Sequence, residues 1–265
     1  MLEIKEYVLN KKVDISKKLS QVAGKPDIAI IQVGDVEASN KYVKNKIKDC
    51  NECGIACALF KFDENISENK LLEAIDYLNN HPTVVGFIVQ LPLPWHIDEQ
   101  KVMSKISPEK DLDGFNKLSK TVPATSLGIY NYLKDMHFDF EGKNAVIIGR
   151  SDIVGKPMAK LLLKENMNTT VLHSKTSDAD KRYYLKNADL IIVATGHLET
   201  LNNTYEFKKT AVIFDVGINV DEQGKLQGDC KKGLSVAFQS PVPGGVGLLT
   251  RVALMENVLK LLNIG

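Results

Sequence analysis

Lys143-Asn-Ala-Val-Ile-Ile-Gly-Arg-Ser-Asp-Ile-Val-Gly155 is the stretch in which a short apolar strand ends at a glycine turn and a helix follows. A turn in this setting can hold a phosphate with the main-chain N–H groups of the helix N-terminus. The spacing departs from G-x-G-x-x-G, because Ser151 stands at the second glycine position and Gly155 comes one residue late. The stretch therefore indicates a mononucleotide-binding unit of the Rossmann kind, although it is less specific than the full motif.

Apolar runs and helical patterns alternate on both sides of this stretch. Further strands are predicted at 27–33, 57–62, 84–90, 169–173, 188–194 and 210–216. Helices are predicted at 38–53, 68–78, 124–135, 156–164 and 248–262. Short, nearly continuous apolar strands with helices between them are typical of parallel sheets that are covered on both faces.

The alternation is interrupted once, over residues 107–120, and then starts afresh. We therefore expect an α/β protein of two domains with a cleft between them, the second domain being a Rossmann-like doubly wound parallel sheet. The first domain is assigned to residues 1–120 and is completed by a C-terminal helix at 248–265. The second, nucleotide-binding domain is assigned to residues 121–247.

Composition excludes several classes of protein. The 265 residues are 44% hydrophobic, and 34 Lys and Arg balance 33 Asp and Glu. This balance gives no net attraction to nucleic acid or to an anionic membrane. The N-terminus has no apolar signal core, and no run approaches the ~18–20 apolar residues of a membrane span. We therefore expect a soluble cytoplasmic protein, or one of an organelle lumen after loss of a targeting segment, without nucleic-acid or membrane partners.

Three of the four cysteines lie close together in the sequence as Cys50, Cys53 and Cys57, and Cys230 is distant. A structural zinc site usually takes four ligands from paired Cys or His clusters, which this spacing does not supply. Buried free thiols are the preferred interpretation, zinc is the alternative, and no metal is expected.

The helix at 38–53 carries a candidate reactive pair. Tyr42 and Lys46 are four residues apart, on the flank of the apolar face and away from the other lysines. They are either a rim tyrosine with a snorkelling lysine, or an aromatic surface for a flat ligand beside a partly desolvated amine. Desolvation favours the neutral form of a lysine in general, and a neutral amine can accept a proton or activate water.

Polar residues stand where strands or turns end. Gln90 closes an apolar strand before Leu91-Pro-Leu-Pro94, and the carboxyl ends of parallel strands face the ligand crevice. Asp113 precedes a glycine and could accept two N–H bonds from a ligand ring. Capping of the strand end and simple turn chemistry are the alternatives for these two residues.

In the predicted nucleotide-binding domain, the candidate contacts are charged side chains and glycine-rich main chain. Arg150 lies in the glycine turn, and His173-Ser-Lys-Thr176 replaces the acidic residue that would bind a ribose hydroxyl, which favours NADP over NAD. Ordinary solvated charges are the alternative. Pro241-Val-Pro-Gly-Gly-Val-Gly247 is constrained and has little side chain, so it either offers main-chain groups to a ligand or is a tight connection.

Five motifs occur in an order that resembles the bifunctional methylenetetrahydrofolate dehydrogenase/cyclohydrolase family over about residues 28–252. They are Ser39–Lys46, Gly86–Pro94, Lys110–Phe115, Gly142–Pro157 and Pro241–Gly247 with Thr250. The resemblance implies NADP-dependent oxidation of 5,10-methylenetetrahydrofolate to the methenyl cation, followed by hydrolysis to 10-formyltetrahydrofolate. It also implies a homodimer formed through the cofactor domain.

The resemblance assigns a role to each matching residue. Lys46 would be the base and proton shuttle, tuned by Gln90, while Tyr42 would stack on the aminobenzoyl ring and Asp113 would anchor the pterin. The other folate contacts would be Val89, Leu91, Pro243, Gly244, Gly245, Val246 and Gly247. The NADP contacts would be Gly149, Arg150, Ser151, Ser174, Ile218 and Thr250.

The sequence departs from the family pattern at two places. Pro123-Ala-Thr-Ser126 replaces a P-C-T-P-like turn, and His197 follows Thr195-Gly196 where the family commonly has a proline. Two other functions remain open: a two-domain dehydrogenase resembling shikimate dehydrogenase, and a catalytically inactive folate or nucleotide sensor. The Tyr42–Lys46 and Pro241–Gly247 motifs argue against the first. Retention of Lys46, Gln90 and Asp113 together argues against the second.

Overall fold

The computed structural model describes residues 2–22, 24–221 and 223–264, except for the side chain of residue 38. The chain forms two compact units. Unit 1 consists of Met1–Val8 and Thr125–Thr250, and unit 2 consists of Leu9–Ala124 and Arg251–Gly265. Residues 2–8 thus cluster with residues 125–250 rather than with the rest of the N-terminal half. None of the helices in the described part of the chain is both long and apolar enough to cross a membrane.

Unit 2 is built around a small parallel sheet. Its elements follow helix α1 (Ile4–Leu19), which begins in unit 1, and are β1 (Asp27–Val33), α2 (Glu37–Glu52), β2 (Ala56–Phe62), α3 (Glu68–Asn80), β3 (Val84–Val89) and α4 (Glu99–Lys105). The strand order is β2-β1-β3, and both pairings are parallel. The central strand β1 is buried beyond its first residue, because its near-continuous apolar sequence faces protein on both sides.

Helix α3 shows how sequence places these elements. Ser67 caps its N-terminus by accepting a hydrogen bond from the main-chain N–H of Lys70, at 3.4 Å. The apolar residues Leu71, Ile75 and Leu78 follow helical spacing, are all fully buried and pack in the core that includes strands β1 and β3. This packing fixes the strand β3 that ends at the candidate site.

Unit 1 contains the larger sheet. Its elements are α5 (Ala124–Asp135), β4 (Asn144–Ile148), α6 (Gly155–Lys164), β5 (Asn168–Leu172), α7 (Asp178–Asn187), β6 (Leu190–Val193), β7 (Val212–Asp215), β8 (Asn219–Val220), β9 (Leu226–Gln227), β10 (Phe238–Gln239) and α8 (Val246–Leu261), which continues into unit 2. The strand order is β10-β7-β6-β4-β5, all parallel, with β8 and β9 as a separate antiparallel hairpin.

The chain order reverses at β4, since β5 lies on one side of it and β6 on the other. Ligands of open α/β sheets bind outside the carboxyl ends of the strands at such a switch point. The residue that follows β4 is Gly149, the first residue of the predicted phosphate turn. The predicted α/β class, with two domains of which the second is Rossmann-like, is confirmed.

Candidate active site

In unit 2, helix α2 carries the candidate catalytic side chains, and its first turn is fixed by amides. The side-chain Nε2 of Gln32 donates to Asn40 Oδ1 at 2.7 Å, and Asn40 Nδ2 donates to Asp35 Oδ1 at 2.8 Å. Val36, at the N-cap position, offers no side-chain hydrogen bond to the helix. The Asn40 side chain therefore ties the first turn of the helix to the end of β1, and this sets the direction in which the rest of α2 points.

Lys46 is buried on α2, with 8% of its surface exposed. Its Nζ donates to Gln90 Oε1 at 3.1 Å. Gln90 Nε2 in turn donates to the main-chain oxygen of Leu91 at 2.7 Å, which orients the amide so that its oxygen faces the lysine. A buried amine held by a neutral, oriented acceptor is suited to exchanging a proton with a bound molecule.

Asp113 lies near this amine, and it too has 8% of its surface exposed. Burial raises the pKa of the Asp113 carboxyl, and the charge of Lys46 lowers it. The electrostatic interaction means that the fold brings Lys46, Gln90 and Asp113 into one site in unit 2. Residues of α2, of the end of β3 and of the loop after α4 thus lie near one another, although Lys46 and Asp113 are 67 positions apart in sequence.

Asp111 organises the loop that presents Asp113. Its Oδ1 accepts a hydrogen bond from the N–H of Gly114 at 2.9 Å, and its Oδ2 accepts one from the N–H of Asn116 at 2.8 Å. Its own carbonyl accepts from Thr121 Oγ1 at 2.6 Å. Gly114 has φ +71°, and a Cβ there would lie 2.6 Å from the carbonyl carbon of Val122, so only glycine fits. Asp111 was not predicted as a functional residue, although it shares the motif of Asp113.

Tyr42 lies one helical turn before Lys46 and is half-buried. Burial raises the pKa of its hydroxyl, and the charge of Arg251 lowers it. Arg251 is held by Asp49, with 2.9 Å between Nη1 and Oδ2, and Asp49 also pairs with Lys12. An ion cluster centred on the buried Asp49 therefore lies near Tyr42, and it was not predicted from the sequence.

In unit 1, the glycine turn after β4 is too close-packed for side chains. A Cβ on Gly149 would lie 2.2 Å from the carbonyl oxygen of Ala194, and a Cβ on Gly155 would lie 2.2 Å from the oxygen of Gly149. Ser151 Oγ accepts from the N–H of Val154 at 3.2 Å. Ser151 thus supports the turn where the common motif has a glycine, and the exposed Arg150 stands at its surface.

Two further cofactor candidates follow other strands of the same sheet. Ser174 is exposed after β5, in a turn that is closed by a 3.0 Å bond from His173 N–H to Thr176 Oγ1 and a 3.2 Å bond from Lys175 N–H to His173 Nδ1. Ile218 follows β7 and is 52% exposed. Gly149, Ser174 and Ile218 therefore all follow carboxyl ends of one parallel sheet, where a dinucleotide is expected to bind.

The loop Pro241–Gly247 precedes and begins α8. Gly244 has φ +102°, and a Cβ on Gly245 would lie 2.3 Å from the carbonyl oxygen of Pro241. Both glycines are therefore required by the backbone path. Helix α8 begins at Val246, two residues earlier than predicted, and includes Thr250, whose Oγ1 donates to Thr125 Oγ1 at 3.2 Å.

The four cysteines are all free thiols. Cys50, Cys53 and Cys230 are buried free thiols, and Cys57, which was expected to be buried as well, is half-buried. Desolvation raises the pKa of Cys53 to about 11, so this thiol stays protonated at neutral pH.

The sequence matches two family models along its length. Residues 2–113 match the catalytic domain of tetrahydrofolate dehydrogenase/cyclohydrolase, and residues 123–264 match its NAD(P)-binding domain. The chain belongs to this family. The bifunctional protein FolD of Campylobacter hominis is 43% identical over 270 residues, which are 97% of this chain and 93% of that protein.

Solved structures in the tetrahydrofolate dehydrogenase/cyclohydrolase family have the same fold. The crystal structure of bifunctional FolD from Campylobacter jejuni is 39% identical with a TM-score of 0.93, over 99% of this chain and 98% of that one. The enzyme from Trypanosoma brucei, solved with its NADP cofactor and an inhibitor, is 27% identical with a TM-score of 0.92, over 99% and 97% of the two chains.

One departure from the family pattern now has a structural account. Ser126, where the resemblance leads one to expect a second proline, is fully buried, and its Oγ donates to the carbonyl oxygen of Val154 at 3.1 Å. Val154 immediately precedes α6, the helix that the glycine turn opens. The serine therefore links α5 to the start of α6, and the altered turn keeps a defined contact within unit 1.

Proposed function

We propose that the protein converts 5,10-methylenetetrahydrofolate to 10-formyltetrahydrofolate in two steps. NADP, when bound, supplies the acceptor for the hydride that leaves the methylene carbon, which gives the 5,10-methenyl cation. Water then adds to this cation, one proton is released, and the ring opens to the 10-formyl product. The observation that carries the proposal is a buried Lys46 held by Gln90 in a chain of this family.

The first step depends on positioning. In this proposal, Tyr42 stacks on the aminobenzoyl ring and Asp113 accepts hydrogen bonds from the pterin, so that the methylene carbon is held in place. Val89 and Leu91 flank Gln90 along the folate, and main-chain groups of residues 243–247 contact it. The carboxylate of Asp113 offers only acceptors, which suits the N–H edge of a pterin.

The second step requires a proton acceptor. We assign that role to Lys46, whose amine takes the proton from the water that attacks the methenyl carbon and returns it when the ring opens. Gln90 holds the amine in one position through its oriented oxygen. Because the amide is neutral, it directs the lysine without adding a second titrating group.

The nucleotide-binding residues favour NADP. The glycines at 149 and 155 let the turn pack tightly at the start of α6, and the N-terminus of a helix after such a turn suits a pyrophosphate. In this proposal the main chain at Gly149 and Ser151 holds the phosphates, while Arg150 and Ser174 contact the ribose 2′-phosphate. Ile218 and Thr250 complete the cofactor contacts.

The domain roles and the assembly are part of the same proposal. Residues 1–120, completed by 248–265, bind folate, and residues 121–247 bind NADP. The protein is proposed to act as a cytoplasmic homodimer through its cofactor domain. Exposed apolar surface on α6 and β5, where Leu163 and Val171 lie, supports such an interface.

One pair of assays tests the proposal. Purified protein is mixed with 5,10-methylenetetrahydrofolate and either NADP or NAD, and the methenyl product and reduced cofactor are followed by absorbance. Hydrolysis of the methenyl compound is then measured without cofactor. We expect activity in both assays and a preference for NADP. Cofactor reduction with shikimate and none with the folate would instead support the rival dehydrogenase, and binding of both ligands without turnover would support the sensor.

A further inference from the structure

The carboxylate of Asp229 joins two separate segments of unit 1 and is completely buried. Its Oδ2 accepts hydrogen bonds from the N–H of Thr195 at 2.7 Å, from Thr195 Oγ1 at 2.9 Å and from the N–H of Gly196 at 3.0 Å. Its Oδ1 accepts from Asn219 Nδ2 at 2.9 Å. Thr195 and Gly196 follow β6, and Asn219 follows β7. One side chain therefore holds the segments that follow two neighbouring strands.

A second buried carboxylate holds Asp229 itself. Asp215, the last residue of β7, accepts hydrogen bonds from the N–H of Asp229 at 2.8 Å, of Gly217 at 3.0 Å and of Cys230 at 2.8 Å. Burial raises the pKa of Asp215, and these three N–H bonds lower it. The two aspartates therefore form a chain of contacts from the end of β7 to the turn after β6.

Two glycines show how closely the backbone approaches these carboxylates. A Cβ on Gly217 would lie 2.1 Å from Asp229 Oδ1, and a Cβ on Gly228 would lie 2.0 Å from Asp215 Oδ2. Neither position tolerates a side chain unless the aspartate moves. The segment that carries the exposed Ile218 is thus packed directly onto Asp229.

The turn after β6 has no proline to restrict it. Residues 195–200 read Thr-Gly-His-Leu-Glu-Thr, and two of them, Gly196 and Glu199, have positive φ. Thr195 Oγ1 accepts from the N–H of His197 at 3.2 Å, and Thr200 Oγ1 donates to the carbonyl of His197 at 2.8 Å. The shape of the turn depends on hydrogen bonds, and Asp229 is the acceptor for its first two N–H groups.

We infer that Asp229 is a positioning residue for NADP. It holds Thr195–Gly196 and Gly217–Asn219 together as one rim at the carboxyl ends of β6 and β7, and so places Ile218 against the cofactor. The inference rests on the proposed function, because it names the residue that shapes the NADP side of that site. Ligands of such sheets bind at this edge, which gives the rim its functional importance.

A carboxylate is needed here because both of its oxygens accept. In Asp229→Asn, the amide presents two N–H donors, either to the N–H groups of Thr195 and Gly196 or to the amide of Asn219. Either the Thr195–Gly196 segment or Asn219 then faces N–H donors where Asp229 offered a carboxylate oxygen. We expect the Kd and KM for NADP to rise at least about tenfold, about 1.4 kcal/mol.

The test compares Asp229→Asn with a matched control, Asp221→Asn. Asp221 belongs to the adjacent hairpin, where it accepts from the N–H of Gln223 at 3.0 Å and of Lys225 at 2.8 Å. NADPH binding is titrated by fluorescence, and cyclohydrolase turnover is measured without cofactor. The expected result is weaker NADP binding in Asp229→Asn only, with cyclohydrolase kcat and folate KM within about twofold of wild type in both variants.

Two results would overturn the inference: NADP affinity in Asp229→Asn within twofold of wild type, or equal loss of both activities, which indicates general damage to the fold. If Asp229→Asn is insoluble, Thr195→Val decides, since it keeps the side-chain shape and removes the hydroxyl that donates to Asp229 and also bonds His197 and Thr200. It should raise the KM for NADP several-fold and leave cyclohydrolase turnover intact, and an unchanged KM contradicts the inference. A wild-type protein that does not bind NADP would refute the proposed function instead.

Discussion

The amine of Lys46 is held by the side-chain oxygen of Gln90 at 3.1 Å, within a site that leaves the lysine almost completely buried. Lysines are seldom fully buried unless they are paired. Here the hydrogen-bond partner is a neutral amide, and Lys46 lies near enough to Asp113 for its charge to lower the pKa of that carboxyl, which burial raises. The amine is therefore held in one position by an amide that is itself fixed by the main chain of Leu91.

Lys46→Met should abolish cyclohydrolase turnover while folate and NADP binding stay near wild type. Methionine keeps a long apolar side chain but cannot accept a proton from the attacking water. Hydrolysis of the methenyl compound is measured by loss of its absorbance, and binding is measured by titration. Lys44→Met, at an exposed position of the same helix, is the control and should hydrolyse at the wild-type rate. Wild-type hydrolysis by Lys46→Met would show that another group accepts the proton.

Much of the fold could be predicted because buried parallel strands have a simple sequence pattern. Strand β1 was predicted with both ends correct, and β4 and β5 were correct within one residue. Helix α1 was missed, although Ile4, Val8 and Ile15 on its buried face follow helical spacing. Helix α7 has little apolar pattern, since Leu185 is the buried residue among its ten positions.

The contact between Lys46 and Gln90 could be predicted, because each of these residues lies in a motif of its own. It was not predictable where a residue acts by accepting hydrogen bonds from distant backbone. Asp229 receives N–H groups from residues 33 and 34 positions away, and nothing in its local sequence specifies those partners. Asp111 lay within reach of sequence reasoning, because an Asp three residues before a glycine often accepts bonds from the turn that follows.

Arg150→Ala should weaken NADP binding far more than NAD binding. The exposed guanidinium stands at the glycine turn, where the 2′-phosphate of NADP is its proposed partner. Loss of one charge-assisted contact costs about 1.5–3 kcal/mol, roughly ten- to a hundredfold in affinity. Lys156→Ala is the control, since Lys156 pairs with Asp152 at 2.7 Å on the first turn of α6. Equal losses for the two cofactors would rule out this basis for the preference.

Asp111→Asn should change how stability depends on pH. Burial raises the pKa of Asp111 from 3.8 to about 6, so the folded protein binds this proton more tightly than the unfolded chain. The stabilising contribution is fully present below about pH 4 and is lost as pH rises through about 6, because ionised Asp111 is disfavoured in the fold. The expected change is about 2–3 kcal/mol over that range.

The asparagine variant lacks this titration, although it loses a hydrogen-bond acceptor at every pH. The unfolding free energies of both proteins are measured by urea denaturation at several pH values between 4 and 7. The stability of wild type relative to the variant should fall as pH rises. A difference that stays flat across the range would mean that Asp111 has an ordinary pKa in the folded state.

Asp113→Asn should reduce dehydrogenase turnover and weaken folate binding. The amide presents donors where the carboxylate presents only acceptors, so the hydrogen bonds proposed for the pterin are disturbed. A misdirected pterin moves the methylene carbon out of line, and small displacements of reacting groups are costly in rate. NADP affinity should be unchanged, because the proposed cofactor contacts lie elsewhere.

Glu109→Gln is the matched control on the same loop, where the exposed Glu109 accepts from Ser107 Oγ at 2.7 Å. If Asp113→Asn keeps its folate affinity and dehydrogenase rate within about twofold, under roughly 0.5 kcal/mol, the carboxylate serves the turn and the pterin binds elsewhere.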